Sequence, residues 1–124
     1  MKKNQTITAK AAANVPTSYG TWTADVKCGG AEYVRLFFTY THSDATSLEF
    51  SLQFSTDGGT TWFDDHKLTA GASELNEITF VSATAKFTHS VDVSDISDLR
   101  VKAKNTGGGA TGNTLALDYI AGVS

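Results

Sequence analysis

The densest cluster of functional side chains in this sequence is Ser55-Thr56-Asp57-Gly58-Gly59-Thr60-Thr61-Trp62. Its chemistry is that of a turn. A short carboxylate beside two glycines can accept hydrogen bonds from loop amides, while glycine tolerates the positive φ that a tight hairpin demands. An indole at the end of such a run packs over the hairpin. Asp57, Gly58, Gly59 and Trp62 are therefore expected to build a structural hairpin.

Other chemically capable residues lack converging partners. In Asp64-Asp65-His66, neighbouring strand residues point to opposite faces, so only Asp64 and His66 can meet, and two ligands do not close a metal site. Asp92, Asp95 and Asp98 flank a turn without the oxygen ladder of a calcium loop. His42, His66 and His89 share no ligand spacing, and His89 lies between Phe87 and Val91 at an inward position. No G-x-S-x-G elbow frames a serine nucleophile. Gly107-Gly108-Gly109 precedes a strand, not the helix start that binds phosphate. The expectation is a protein with no catalytic residue, no metal ligand and no cofactor.

The elements that carry these residues read as strands. Val34, Leu36, Phe38 and Tyr40 alternate with Tyr33, Arg35, Phe37 and Thr39, and Leu48, Phe50, Leu52 and Phe54 alternate with Glu49, Ser51, Gln53 and Ser55. Further strands are expected at Thr21–Lys27, Thr61–Leu68, Leu75–Val81, Lys86–Val93, Leu99–Lys104 and Asn113–Val123. The segments Leu75–Val81 and Lys86–Val93 are expected to pair, and Gly107–Gly112 to be a flexible hairpin tip. No helix of ten or more residues is readable. About eight strands with turn signals between them predict an all-β fold, a single antiparallel β-sandwich of jelly-roll type. Residues 1–18 are expected to form an N-terminal arm, with a short strand at Gln5–Ala9 and a helical turn over Lys10–Asn14, and residues 19–124 the sandwich.

Composition narrows the function. A length of 124 residues suits one domain. Cys28 is the only cysteine, which rules out an internal disulfide. Neither a signal peptide nor a membrane-spanning helix is legible, and synthesis and folding in a cytoplasm are expected. Residues 1–24 carry +3 through Lys2, Lys3 and Lys10, whereas residues 25–124 carry −6. Such a body is a poor match for nucleic-acid phosphates, and neither nucleic acid nor membrane is expected as a partner. The basic leader suits an acidic surface on a neighbouring subunit. Tyr19, Trp22, Tyr33, Phe37 and Phe63 exceed what strand alternation can bury. Surplus aromatics of this kind serve a subunit interface or a sugar-stacking platform. Lys2, Lys3, Lys10, Tyr19, Trp22, Tyr33 and Phe37 are the interface candidates.

Two resemblances add to this. Ser55–Trp62 is similar to the Asp-box, S-x-D-x-G-x-T-W, of sialidases and related β-propellers, where the box lies away from the active site. One copy implies a hairpin and no propeller. The hairpin Ser51–Phe63 and the closing Leu99–Gly122 resemble small β-sandwich proteins of tailed bacteriophages, of the capsid decoration (cement) or tail type. That resemblance implies a non-enzymatic virion protein, most of all capsid decoration, made in the host cytoplasm and binding other copies of itself and capsid or tail proteins. A host-surface glycan is a further expected partner. The alternative is a carbohydrate-binding module that uses surface aromatics.

Overall fold

In the computed structural model, the described residues are 5–69, 72–81 and 83–123, without the side chains of 68, 69, 72, 73 and 81. Among them run eleven strands: β1 (Ile7–Asn14), β2 (Thr23–Lys27), β3 (Tyr33–Thr41), β4 (Ser47–Ser55), β5 (Phe63–Asp64), β6 (His66–Thr69), β7 (Ala72–Leu75), β8 (Ile78–Val81), β9 (Ala85–Asp92), β10 (Asp98–Thr106) and β11 (Thr114–Gly122). One sheet has the order β1-β11-β3-β9. The other runs β2-β10-β4, with β5 and β8 pairing along two stretches of β4. Every pairing is antiparallel. With β5 and β8 taken as one interrupted edge, the order is that of an eight-stranded jelly roll. The all-β sandwich expected from the sequence is the fold observed.

Three strands exceed the expected eight: β1 lies in the expected arm, and β6 and β7 arise because the segment after Trp62 breaks. Asp65 donates its N–H to the Leu52 carbonyl at 3.0 Å and accepts the N–H of Asn76 at 2.8 Å. Beyond it the chain leaves the sheet, and β6 pairs with β7 as a separate ribbon.

Alternation fixes the core. Val34, Leu36, Phe38 and Tyr40 of β3, with Leu115 and Leu117 of β11 beside them, face Leu48, Phe50 and Leu52 of β4 and Leu99, Val101 and Ala103 of β10, all buried. Each such aliphatic or phenyl side chain contributes about 1.5–3 kcal/mol by leaving water. At one edge Phe87 stacks between Phe38, at 4.8 Å, and Phe80, at 4.3 Å.

Three local expectations are corrected. β8 and β9 do not pair: β8 joins β4 in one sheet and β9 joins β3 in the other. β10 and β11 likewise belong to opposite sheets, so the glycine-rich segment is a crossing between layers and not a hairpin tip. Lys10–Asn14 is strand, not a helical turn. From Ile7 to Asn14 the chain pairs with β11 through two register shifts, and Val15 is fully buried. The described part of the expected arm thus forms an outer strand, because a backbone with alternating small side chains can extend the ladder of β11.

Candidate functional site

At the Asp57 turn the Ser55 hydroxyl and one Asp57 carboxylate oxygen bind the loop's own amides. Ser55 Oγ donates to Asp57 Oδ1 at 2.8 Å and accepts the Gly59 N–H at 2.9 Å. Asp57 Oδ1 accepts the N–H groups of Thr60 at 3.1 Å and Thr61 at 2.9 Å. Gly58 and Gly59 have φ of 78° and 94°, a region that side-chain-bearing residues rarely adopt. The Thr61 amide, with Ser55 next, holds the Asp57 carboxyl down at about 2. Ser97 ties the turn to the segment before β10, donating Oγ–H to the Ser55 carbonyl at 3.0 Å and accepting the Gly58 N–H at 3.0 Å. Trp62 is half-buried, and the Arg100 guanidinium carbon lies 4.0 Å from its ring centroid. Arg100 also pairs with Asp25 at 3.1 Å. The turn residues named from the sequence therefore sit in one structural unit, with Arg100 as a member that alternation alone did not single out.

The remaining acids and histidines disperse. Asp64 and His66 approach to 4.0 Å, with Gln53 donating to Asp64 at 2.7 Å. Among the described residues no group of three His, Cys, Asp or Glu is arranged to hold a metal. Asp92 accepts the Ser94 N–H at 3.0 Å, whereas buried Asp98 pairs with Lys27 at 2.6 Å. His89 meets Phe50 edge-on at 5.8 Å, and His42 Nε2 lies 2.9 Å from the Ala45 carbonyl.

The glycine-rich crossing is anchored by polar side chains from elsewhere. Asn113 Oδ1 accepts the N–H of Ser43 at 2.8 Å and of Ala45 at 3.3 Å, and the Tyr40 hydroxyl at 3.2 Å, while its Nδ2 donates to Asp44 at 2.8 Å. Asn105 Oδ1 accepts the Gly108 N–H at 3.0 Å, and its Nδ2 donates to the Val15 carbonyl at 2.7 Å. A Cβ on Gly108 would lie 2.9 Å from Ala45 Cα, so glycine is required there by close approach. These asparagines follow the glycines' own logic, but no local spacing marked them.

The interface candidates separate into four groups. Trp22 is corrected: it is fully buried, its indole N–H donates to the Leu115 carbonyl at 3.0 Å, and it offers no surface to a partner. It lies just before β2, where it points inward in phase with buried Ala24 and Val26. Lys10 Nζ stands 6.0 Å from that ring, and Tyr19 donates to Glu77 at 2.7 Å with Lys104 Nζ 5.1 Å from its own ring centroid. Tyr33 and Phe37 lie on the outer face of β3, each half-buried. Lys2 and Lys3 lie outside the described residues. Exposed Phe63, 59% accessible, stands on the short edge strand β5.

No protein-family model matches this sequence, and no curated protein does. Among solved structures, the SPBc2 prophage-derived protein YomS matches with a TM-score of 0.53 at 15% identity, covering 95% of this chain and 92% of that one. A structure described as "CBM4 structure and function" gives 0.44 at 8% identity, covering 91% and 67%. The structure of infectious bursal disease virus Gx strain gives 0.39 at 12% identity, covering 96% and 32%. The first is a likeness of whole folds, nearly end to end in both chains.

Proposed function

We propose that this chain is a non-enzymatic structural protein of a bacteriophage particle, acting by binding its own copies and other capsid or tail proteins. Capsid decoration is the specific role proposed. The observation that carries the reading is the end-to-end fold likeness to a prophage-derived protein. It is supported by a jelly-roll topology, a fold used in viral shells. It is supported further by polar turn groups that are consumed internally, as at Asp57 and Asn113. The location that follows is the virion.

The test is cosedimentation of the purified protein with phage shells and tails assembled without it. Saturable binding to shells at a fixed stoichiometry is expected. Protein that stays in the supernatant with shells and tails alike, yet is retained on a polysaccharide matrix, would replace this reading with that of a carbohydrate-binding module. Binding to tails alone would keep the virion role and discard decoration.

A further inference from the structure

The outer face of the β1-β11-β3-β9 sheet carries a self-complementary pattern at its centre. In the register of β3 and β11, Arg35 stands opposite Ile120 and Phe37 opposite Asp118. All four alternate away from the core residues Leu36 and Tyr119, so they project from the same face. Charge therefore occupies one diagonal of this block of four, Arg35 to Asp118, and apolar surface the other, Phe37 to Ile120. Neither Arg35 nor Asp118 forms an ion pair among the described residues. Arg35 is exposed, and Phe37, Asp118 and Ile120 are half-exposed. The β9 side is low and polar: Ser90 stands beside Arg35 and Thr88 beside Phe37.

We propose that this face binds a second copy of the chain about a two-fold axis lying along the Phe37–Ile120 diagonal. This rests on the self-assembly reading above and names its contact. Rotation about that axis sets Phe37 against Phe37 and Ile120 against Ile120, and exchanges the charged corners. Arg35 of each copy then meets Asp118 of the other, twice per interface, as an isologous contact requires. With neighbouring strands about 5 Å apart and alternate residues about 7 Å apart, Arg35 projects within about 3 Å of its acid, and the strands of the two copies cross at roughly 70°. Two phenyl rings cannot occupy one point. An apolar depression of about 270 Å³, lined by Phe37, Phe38, Thr39, Lys86, Phe87 and Thr88, continues the same diagonal and gives each ring room beside the other.

Sedimentation equilibrium over a wide concentration range tests the contact. The wild-type chain should form a dimer. Arg35→Asp and Asp118→Arg should each weaken it about tenfold or more, because each places like charges together. The exchanged pair Arg35→Asp with Asp118→Arg should restore it, which separates a pairing from a fold defect. Circular dichroism of each variant should match the wild type. A dimer indifferent to both single changes would move the interface elsewhere and leave assembly standing. A wild-type chain that stays monomeric throughout would overturn this contact, while shell cosedimentation decides the virion role separately.

Discussion

The indole N–H of Trp22 donates to the carbonyl of Leu115 across 3.0 Å, from the segment leading into one sheet to a central strand of the other. This bond crosses the sandwich through its interior. Trp22 is thus a pin between layers, and its truncation should behave as a core mutation. Trp22→Ala should destabilise by about 3–5 kcal/mol. Trp22→Phe keeps much of the ring but strands the buried carbonyl, and should cost about 1–3 kcal/mol. Urea melts measure both, and a Trp22→Ala protein as stable as wild type would remove the pin.

Trp62 should respond differently, since it is half-buried and lies over Arg100 at 4.0 Å. Trp62→Ala is expected to cost about 1–2 kcal/mol, well below a core tryptophan. A double-mutant cycle with Arg100→Ala should return a coupling of about 0.5–1 kcal/mol. Zero coupling would mean that ring and guanidinium are neighbours without mutual stabilisation.

Those two tryptophans show where the sequence was informative. In β3, β10 and β11 the period-two pattern separates core from surface, because the two faces of a strand have unlike environments, whereas in β4 Glu49, Ser51 and Ser55, expected outward, are buried as well. Trp22 falls in phase with Ala24 and Val26 in the strand expected over Thr21–Lys27, so alternation marks it as inward, a signal that its grouping with the surplus aromatics sets aside. The pairing of β8 with β4 and of β9 with β3 was hidden for another reason. A short turn signal can close a hairpin or cross between sheets, and periodicity is the same in both. The Arg35–Asp118 block needs the β3–β11 register, which joins residues far apart in the chain.

The Asp57 carboxyl should make acid stability depend on the hairpin. Its folded pKa, about 2, lies below an ordinary aspartate at about 3.9, so its contribution is fully present above about pH 4 and is lost as pH falls through about 2. Asp57→Asn keeps an acceptor but removes the titration, and should flatten that part of the acid limb. Carboxyl NMR of the native protein reports the value directly. A midpoint near 4 would show that the turn amides do not hold the anion.

Cys28 should be a slow thiol. It is buried, and burial first, then Asp98, pushes its pKa up to about 11. Little thiolate is present near neutrality, and thiolate is the reactive form. Alkylation at about pH 8 should therefore be slow in the native protein and fast in denaturant. Equal rates in both would mean that the Cys28 end of β2 opens readily.

The last prediction concerns Asn113, where one buried amide satisfies the loop after β3 and the crossing before β11. Its oxygen serves Ser43, Ala45 and Tyr40, and its nitrogen serves Asp44, whose carboxyl it holds below the usual range. Asn113→Asp preserves the acceptor but removes the donor to Asp44. At neutral pH it sets a buried carboxylate against the exposed one of Asp44, so the new group's folded pKa should rise above its unfolded value near 4. A raised carboxyl destabilises above the unfolded pKa, and that loss disappears once pH falls below it. Thermal midpoints of wild type and variant should therefore differ most at pH 7 and converge toward pH 4. Asn113→Ala should be destabilised by about 1–3 kcal/mol for each amide left unsatisfied, with no such convergence. A constant gap between Asn113→Asp and wild type across this range would show that Asp44 and residue 113 do not interact electrostatically.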